Sequence, residues 1–101
     1  MAKRRTAGSN NDDVLQSTEW PLVRDTIARA AGIETEDVKP ESDLLLELQM
    51  DSLAVFEVAV DLEAHYELAI PDEEIESLST AADVVRYIDK RLAEEARRPE
   101  A

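Results

Sequence analysis

The 101-residue sequence predicts an all-α fold: a small antiparallel bundle of three main helices plus one short helix, with disordered tails. Three observations carry that prediction. The chain has two glycines and no Asn-Gly or Asp-Gly pair, so no hairpin turn is signalled. Its apolar residues recur at three- and four-residue intervals rather than alternating. Thr18, Pro21, Pro71 and Thr80 stand where helix starts need a cap or an N–H-free residue. Aromatics are 4% of the residues against 44% apolar overall, so the core is expected to be aliphatic. A chain this long folds as one domain, burying roughly 65% of the surface it exposes when unfolded.

Residues 1–14 read as a disordered extension, because Gly8, Ser9, Asn10 and Asn11 come with almost no apolar content. The ordered domain is expected over 15–93, with a charged tail at 94–101 containing Pro99. The first helix is expected from Thr18 to Ala31, capped by Thr18, with Leu22, Val23, Ile27 and Ala30 as its apolar stripe and Gly32 closing it. A connection from Ile33 to Asp51 follows, with Pro40 in its middle. It is too apolar for a linker, since Ile33, Val38, Leu44, Leu45, Leu46 and Leu48 want cover, and a turn of helix is expected near Ser42 to Leu46. The second helix, Ser52 to Tyr66, carries a stripe of Val55, Val58, Ala59, Leu62 and Tyr66, broadened by Phe56 and Val60. A short helix from Asp72 to Leu78 opens with Asp72, Glu73 and Glu74 at its positive dipole end. The last helix begins at Thr80, where Thr80 and Asp83 resemble a capping box, and buries Val84, Val85, Ile88 and Leu92.

Charge narrows the function. Lys and Arg total 11 against 24 Asp and Glu, for a formal net charge of −13. No Lys or Arg lies between Lys39 and Arg86, and that window holds 13 of the acids; elsewhere the acids and the Lys and Arg residues cancel. Such a chain lacks the basic face that binding nucleic acid or an anionic membrane surface requires. Basic protein partners are its natural match. There is no cysteine, so disulfides, thiolate metal sites and thiol nucleophiles are excluded. No apolar run approaches the roughly 18 residues of a membrane span. The basic start Met1-Ala2-Lys3-Arg4-Arg5 is followed by no apolar segment, so a cytoplasmic monomer without a signal peptide is the expectation.

The segment Leu48-Gln49-Met50-Asp51-Ser52-Leu53 opens the second helix, and Ser52 has two readings. In one it is an ordinary N-cap, with Asp51 complementing the helix dipole. In the other it is a hydroxyl modified by another enzyme. Self-contained serine chemistry is disfavoured: His65, the single histidine, is thirteen residues along the same helix, roughly 20 Å away at 1.5 Å per residue. A calcium loop of the Asp-x-Asp-x-Asp-Gly type is absent.

Asp51-Ser52-Leu53, an acidic and apolar helix, Ile70-Pro71-Asp72-Glu73-Glu74, Ser79-Thr80 and Tyr87-Ile88 together resemble an acyl carrier protein over about residues 15 to 92. Asp-Ser-Leu alone is weak. With Ile-Pro-Asp-Glu-Glu eighteen residues after the serine in an acidic chain of this length, it is specific.

The resemblance implies that a phosphopantetheinyl transferase attaches 4′-phosphopantetheine from coenzyme A to Ser52, flanked by Asp51 and Leu53 of the motif. The thiol then arrives with the cofactor, and the chain itself performs no catalysis and holds no metal. Asp51 is implied in orienting Ser52 and in docking the transferase. Glu57, Asp61 and Glu63 match the family's docking acids, which face basic patches on acyl-transferring and ketosynthase-type enzymes. Val58, Ala59, Leu62, Ile70, Ile75, Leu78 and Val84 match the positions that shelter an acyl chain; read from the residues alone, they equally make an ordinary core. Fatty acid biosynthesis is the pathway implied, with polyketide, lipid or aminoacyl carriers as alternatives and an unmodified acidic interaction module as a different class.

Three features depart from the family pattern. Gln49 stands where many members have glycine, so a different shape is expected for the loop before Ser52. Ala64 and His65 dilute the acidic face, and His65 is expected to be an exposed helix residue. The basic amino-terminal extension has no counterpart in the usual domain.

Overall fold

The computed structural model describes residues 11–97, and the expected tails at 1–10 and 98–101 lie outside the described residues. Among the described residues there are five α-helices: α1 (Asp12–Leu15), α2 (Trp20–Ala31), α3 (Ser52–Tyr66), α4 (Asp72–Glu76) and α5 (Ala81–Arg97). The only β pairing among them is an isolated bridge between Asp43 and Thr80. The all-α expectation holds.

One core joins the helices. Val23 and Ile27 of α2, Val58 and Leu62 of α3, and Val84, Val85 and Ile88 of α5 are buried together, with Trp20 the one aromatic among the buried residues. α2 packs against both α3 and α5. Burying each such aliphatic side chain stabilises the fold by about 1.5–3 kcal/mol. Thr26 is buried among them because its hydroxyl donates to the Leu22 carbonyl one turn back, at 2.8 Å.

Several boundaries differ from expectation. Disorder does not extend through residue 14: Asp12–Leu15 form a helical turn that buries Val14 completely, and Asp13 pairs with Arg86 of α5 at 3.0 Å. A four-residue helix is too short to show a period, so tertiary contacts alone reveal it. α2 starts at Trp20 rather than Thr18, because the Ser17 hydroxyl takes the Glu19 N–H (3.1 Å) and Thr18 turns to the Glu19 carboxylate. Ser17 in turn donates to Asp89 of α5 at 3.0 Å. Gly32 closes α2 in the left-handed region at φ 73°, as its position predicts. α4 ends at Glu76, with Ser77 and Leu78 in a following turn, and α5 runs on through Glu94 to Arg97 as an exposed helix rather than fraying.

The α2–α3 connection is held at both ends of its course. A 3₁₀ turn at Thr35–Asp37 leads to the fully buried Val38, whose carbonyl accepts from Arg24 Nε at 2.9 Å. Backbone bonds Ala82 to Pro40, Ala81 to Ser42, and Leu44 to Ser79 then sew the connection to the start of α5. That start is a reciprocal capping box: Asp83 N–H donates to Thr80 Oγ1, and the Asp83 carboxylate accepts from the N–H groups of Thr80 and Ser79, all at 3.0–3.1 Å.

Candidate functional site

The approach to Ser52 is built by Asp43. Its carboxylate accepts the N–H groups of Leu45 (3.1 Å) and Leu46 (2.8 Å), while its own N–H donates to Glu47 Oε1 at 2.9 Å. This turn corrects the expectation that every leucine of the segment is covered. Leu44 is buried, whereas Leu45 and Leu46 are thrown outward and are 52% and 80% exposed. Met50 then tucks into the core and donates to the Leu44 carbonyl.

Between these residues lies Gln49, at φ 57°. A positive φ is the conformation that favours glycine, which has no Cβ to strain. Gln49 adopts the left-handed conformation itself, at a cost of roughly 1–2 kcal/mol.

The helix cap is Asp51, not Ser52. Asp51 is extended, and its carboxylate accepts the Ala54 N–H at 2.8 Å, which satisfies one of the free donors of α3. Ser52 is therefore the first helical residue. It is exposed, and its hydroxyl makes no hydrogen bond among the described residues. The backbone N–H groups of Ser52 and Leu53 are likewise unbonded there, at the positive end of a 15-residue helix. A primary hydroxyl free of any structural task, beside two outward N–H groups, fits a phosphodiester: the oxygen is available for the bond and the amides for the anion.

The exposed face of α3 carries Leu53 (67% exposed), Glu57, Val60 (57% exposed) and Asp61. Val60 was expected to broaden the core stripe and instead faces solvent. The spacing 53, 57, 60, 61 is itself a helical face and would have shown this. Glu63 is placed differently from Glu57 and Asp61: it is half-buried, and its carboxylate accepts the Ile70 N–H at 2.7 Å. His65 is exposed, as expected.

Two apolar spaces lie behind Ser52. The outer one, about 170 Å³, is lined by Ser52, Leu45, Val55, Phe56, Ile75 and Leu78, with Glu76 at its edge as the one charged residue. The inner one is a cavity of only about 10 Å³. Six of the seven residues expected to shelter an acyl chain line it, namely Val58, Ala59, Leu62, Ile70, Leu78 and Val84, joined by Tyr87 and Ile88. Ile75 lines the outer space instead. Val55 and Leu78 border both, so these two side chains stand between the space beside the serine and the inner cavity. A larger open cleft of about 560 Å³ beside Trp20 and Arg24 shares none of these residues.

Comparison with known proteins finds relatives of the whole domain. Residues 21–88 match the family model described as a phosphopantetheine attachment site. The chain is 37% identical to an acyl carrier protein of Bdellovibrio bacteriovorus over 71 residues, covering 70% of this chain and 91% of that protein. It is 44% identical to an acyl carrier protein of Campylobacter curvus over 68 residues, 67% of this chain and 88% of the relative. A meromycolate extension acyl carrier protein of Mycobacterium tuberculosis is 42% identical over 79 residues, covering 78% and 66% respectively.

Proposed function

Because the chain belongs to the acyl carrier proteins, the family built around a phosphopantetheine attachment site, we propose that Ser52 bears the arm and that the exposed face of α3 presents its cargo to partner enzymes. The protein is a phosphopantetheine carrier of lipid biosynthesis. The bound group supplies the thiol on which acyl intermediates are held as thioesters, in a chain that has no cysteine of its own. The observation that carries the assignment of Ser52 is its unbonded, exposed hydroxyl one residue inside a cap made by Asp51.

Each neighbouring residue has a part in this reading. Asp51 stiffens the first turn and so fixes the direction of the Ser52 Cα–Cβ bond. The free amides of Ser52 and Leu53 stabilise the anionic linkage. Glu57 and Asp61 steer basic partner surfaces, while Leu53 and Val60 between them supply the apolar contact that ends the search. Glu63 has a structural duty at Ile70 and contributes less to docking. Weak, charge-steered contacts suit a carrier that must leave one enzyme for the next.

Fatty acid biosynthesis is the proposed pathway, and the cytoplasm the proposed location. No described helix is long and apolar enough to cross a membrane. The inner cavity is the proposed shelter of the acyl chain, and all bond-making belongs to partner enzymes. The test is to convert the protein to its phosphopantetheinylated form, load it with a fatty acid by an acyl-carrier synthetase, and treat it with neutral hydroxylamine. Carrier function predicts a mass gain of one acyl group that hydroxylamine removes. An acyl mass that never appears, or that resists hydroxylamine, contradicts it.

A further inference from the structure

The inner cavity is no larger than about one water molecule as it stands, so an acyl chain enters only if part of its wall moves. The wall contributed by Leu78 is the movable one. Leu78 follows α4, in a segment anchored at one end by the Ile70 N–H on Glu63 and at the other by the Ser79 carbonyl on the Leu44 N–H. Between these anchors, residues 71–78 make one hydrogen bond to another element among the described residues: the Tyr87 hydroxyl of α5 donates to the Glu74 carboxylate. The remaining bonds of the segment are its own helical and turn bonds.

Tyr87 is well placed to report on the cavity it closes. Its ring lines the cavity while its hydroxyl reaches out to α4. Arg91 braces the arrangement, donating through Nη1 to the Tyr87 hydroxyl oxygen at 2.6 Å and to the Ala69 carbonyl, just before the moving segment, at 2.8 Å. We infer that the Tyr87–Glu74 bond, braced by Arg91, is a latch that holds residues 71–78 shut over the cavity and sets how readily it opens to an acyl chain. A chain reaching the far wall presses on the Tyr87 ring and so works directly against the latch. This inference rests on reading the cavity as the acyl shelter.

The test separates the two ideas. Hydrogen exchange on the unloaded protein reads the latch without any acyl group. In Tyr87→Phe, which keeps the ring, the amides of Glu74, Ile75, Ser77 and Leu78 are expected to exchange on the order of tenfold faster, the loss of one hydrogen bond to a charged group. Amides of α2 stay within about twofold of wild type, as a local opening requires. Glu74→Ala is expected to give the same acceleration, and the double variant no more than either single one. Unchanged exchange in 71–78, a uniform rise across the protein, or additive effects would each overturn the latch. Methyl resonances of Val58, Leu62 and Val84 then compare unloaded protein with the octanoyl thioester. Shifts larger in Tyr87→Phe than in wild type support the latch acting on chain entry. Absence of shifts in both proteins, with exchange accelerated, rejects the shelter and with it the coupling to cargo.

Discussion

Asp51 accepts the Ala54 N–H at 2.8 Å, and Ser52 stands one residue inside that cap with its hydroxyl unbonded. The two roles that a serine at a helix start can combine are thereby divided between neighbours. Asp51→Ala is expected to lower stability by about 1 kcal/mol, a fall in Tm of roughly 4–8 °C for a domain of this size. Asp51→Asn, an equally good cap, is expected to melt close to wild type. Thermal melts of the two variants check this, and equal losses in both would assign the effect to charge rather than to capping.

Gln49 holds the left-handed conformation that the approach to Ser52 requires. Glycine adopts it without the Cβ penalty, so Gln49→Gly is expected to raise stability by up to about 1 kcal/mol, the penalty less glycine's extra backbone entropy. Transfer of phosphopantetheine onto Ser52 should be unaffected, since the loop path is the same. A lower Tm in urea or thermal melts would show that the Gln49 side chain matters in its own right.

Both tyrosines of the chain are held protonated. Burial pushes the Tyr66 hydroxyl well above its ordinary value, and the Glu19 carboxylate, 2.6 Å away, adds to the shift. Tyr87 is raised by burial and by Glu74, with Arg91 partly opposing. A group whose folded pKa is raised contributes stability that is fully present below its unfolded pKa, about 10, and is lost as pH rises through the folded value. Absorbance titration near pH 10 should therefore show less tyrosinate in the folded protein than in denaturant, where both residues are about half ionised. Normal titration of both residues in the folded state would contradict these contacts.

The central acidic block has no Lys or Arg within it, and Glu57, Asp61, Asp72, Glu73 and Glu76 are exposed. Their mutual repulsion opposes the folded state and is screened by ions. Tm is expected to rise with added monovalent salt and further with magnesium, as calorimetry can check. A flat or falling Tm would mean that repulsion across α3 and α4 is already relieved.

Much of this architecture was legible in the residues. The Thr80–Asp83 box and the stripe of Val55, Val58, Ala59 and Leu62 are periodic or reciprocal signals strong enough to stand without tertiary context. The features that were not legible turn on single residues. Aspartate and serine cap helices equally well, so adjacent Asp51 and Ser52 give no local sign of which one does. Nothing in Leu44-Leu45-Leu46 shows that Asp43 will gather two of the N–H groups and turn two leucines outward. The single turn around Val14 exists because α5 is there to receive it. Glu63 resembles Glu57 and Asp61 until the Ile70 N–H is seen to occupy it.

The central claim is that Ser52 bears the phosphopantetheine arm. Intact mass should be taken before and after incubation with coenzyme A, magnesium and a broad-specificity phosphopantetheinyl transferase, with Ser52→Ala treated alongside. A gain of one phosphopantetheinyl unit in the wild-type protein, and none in folded Ser52→Ala, is the expected result. The same gain in Ser52→Ala, or none in a folded wild-type protein that was unmodified at the start, would contradict it.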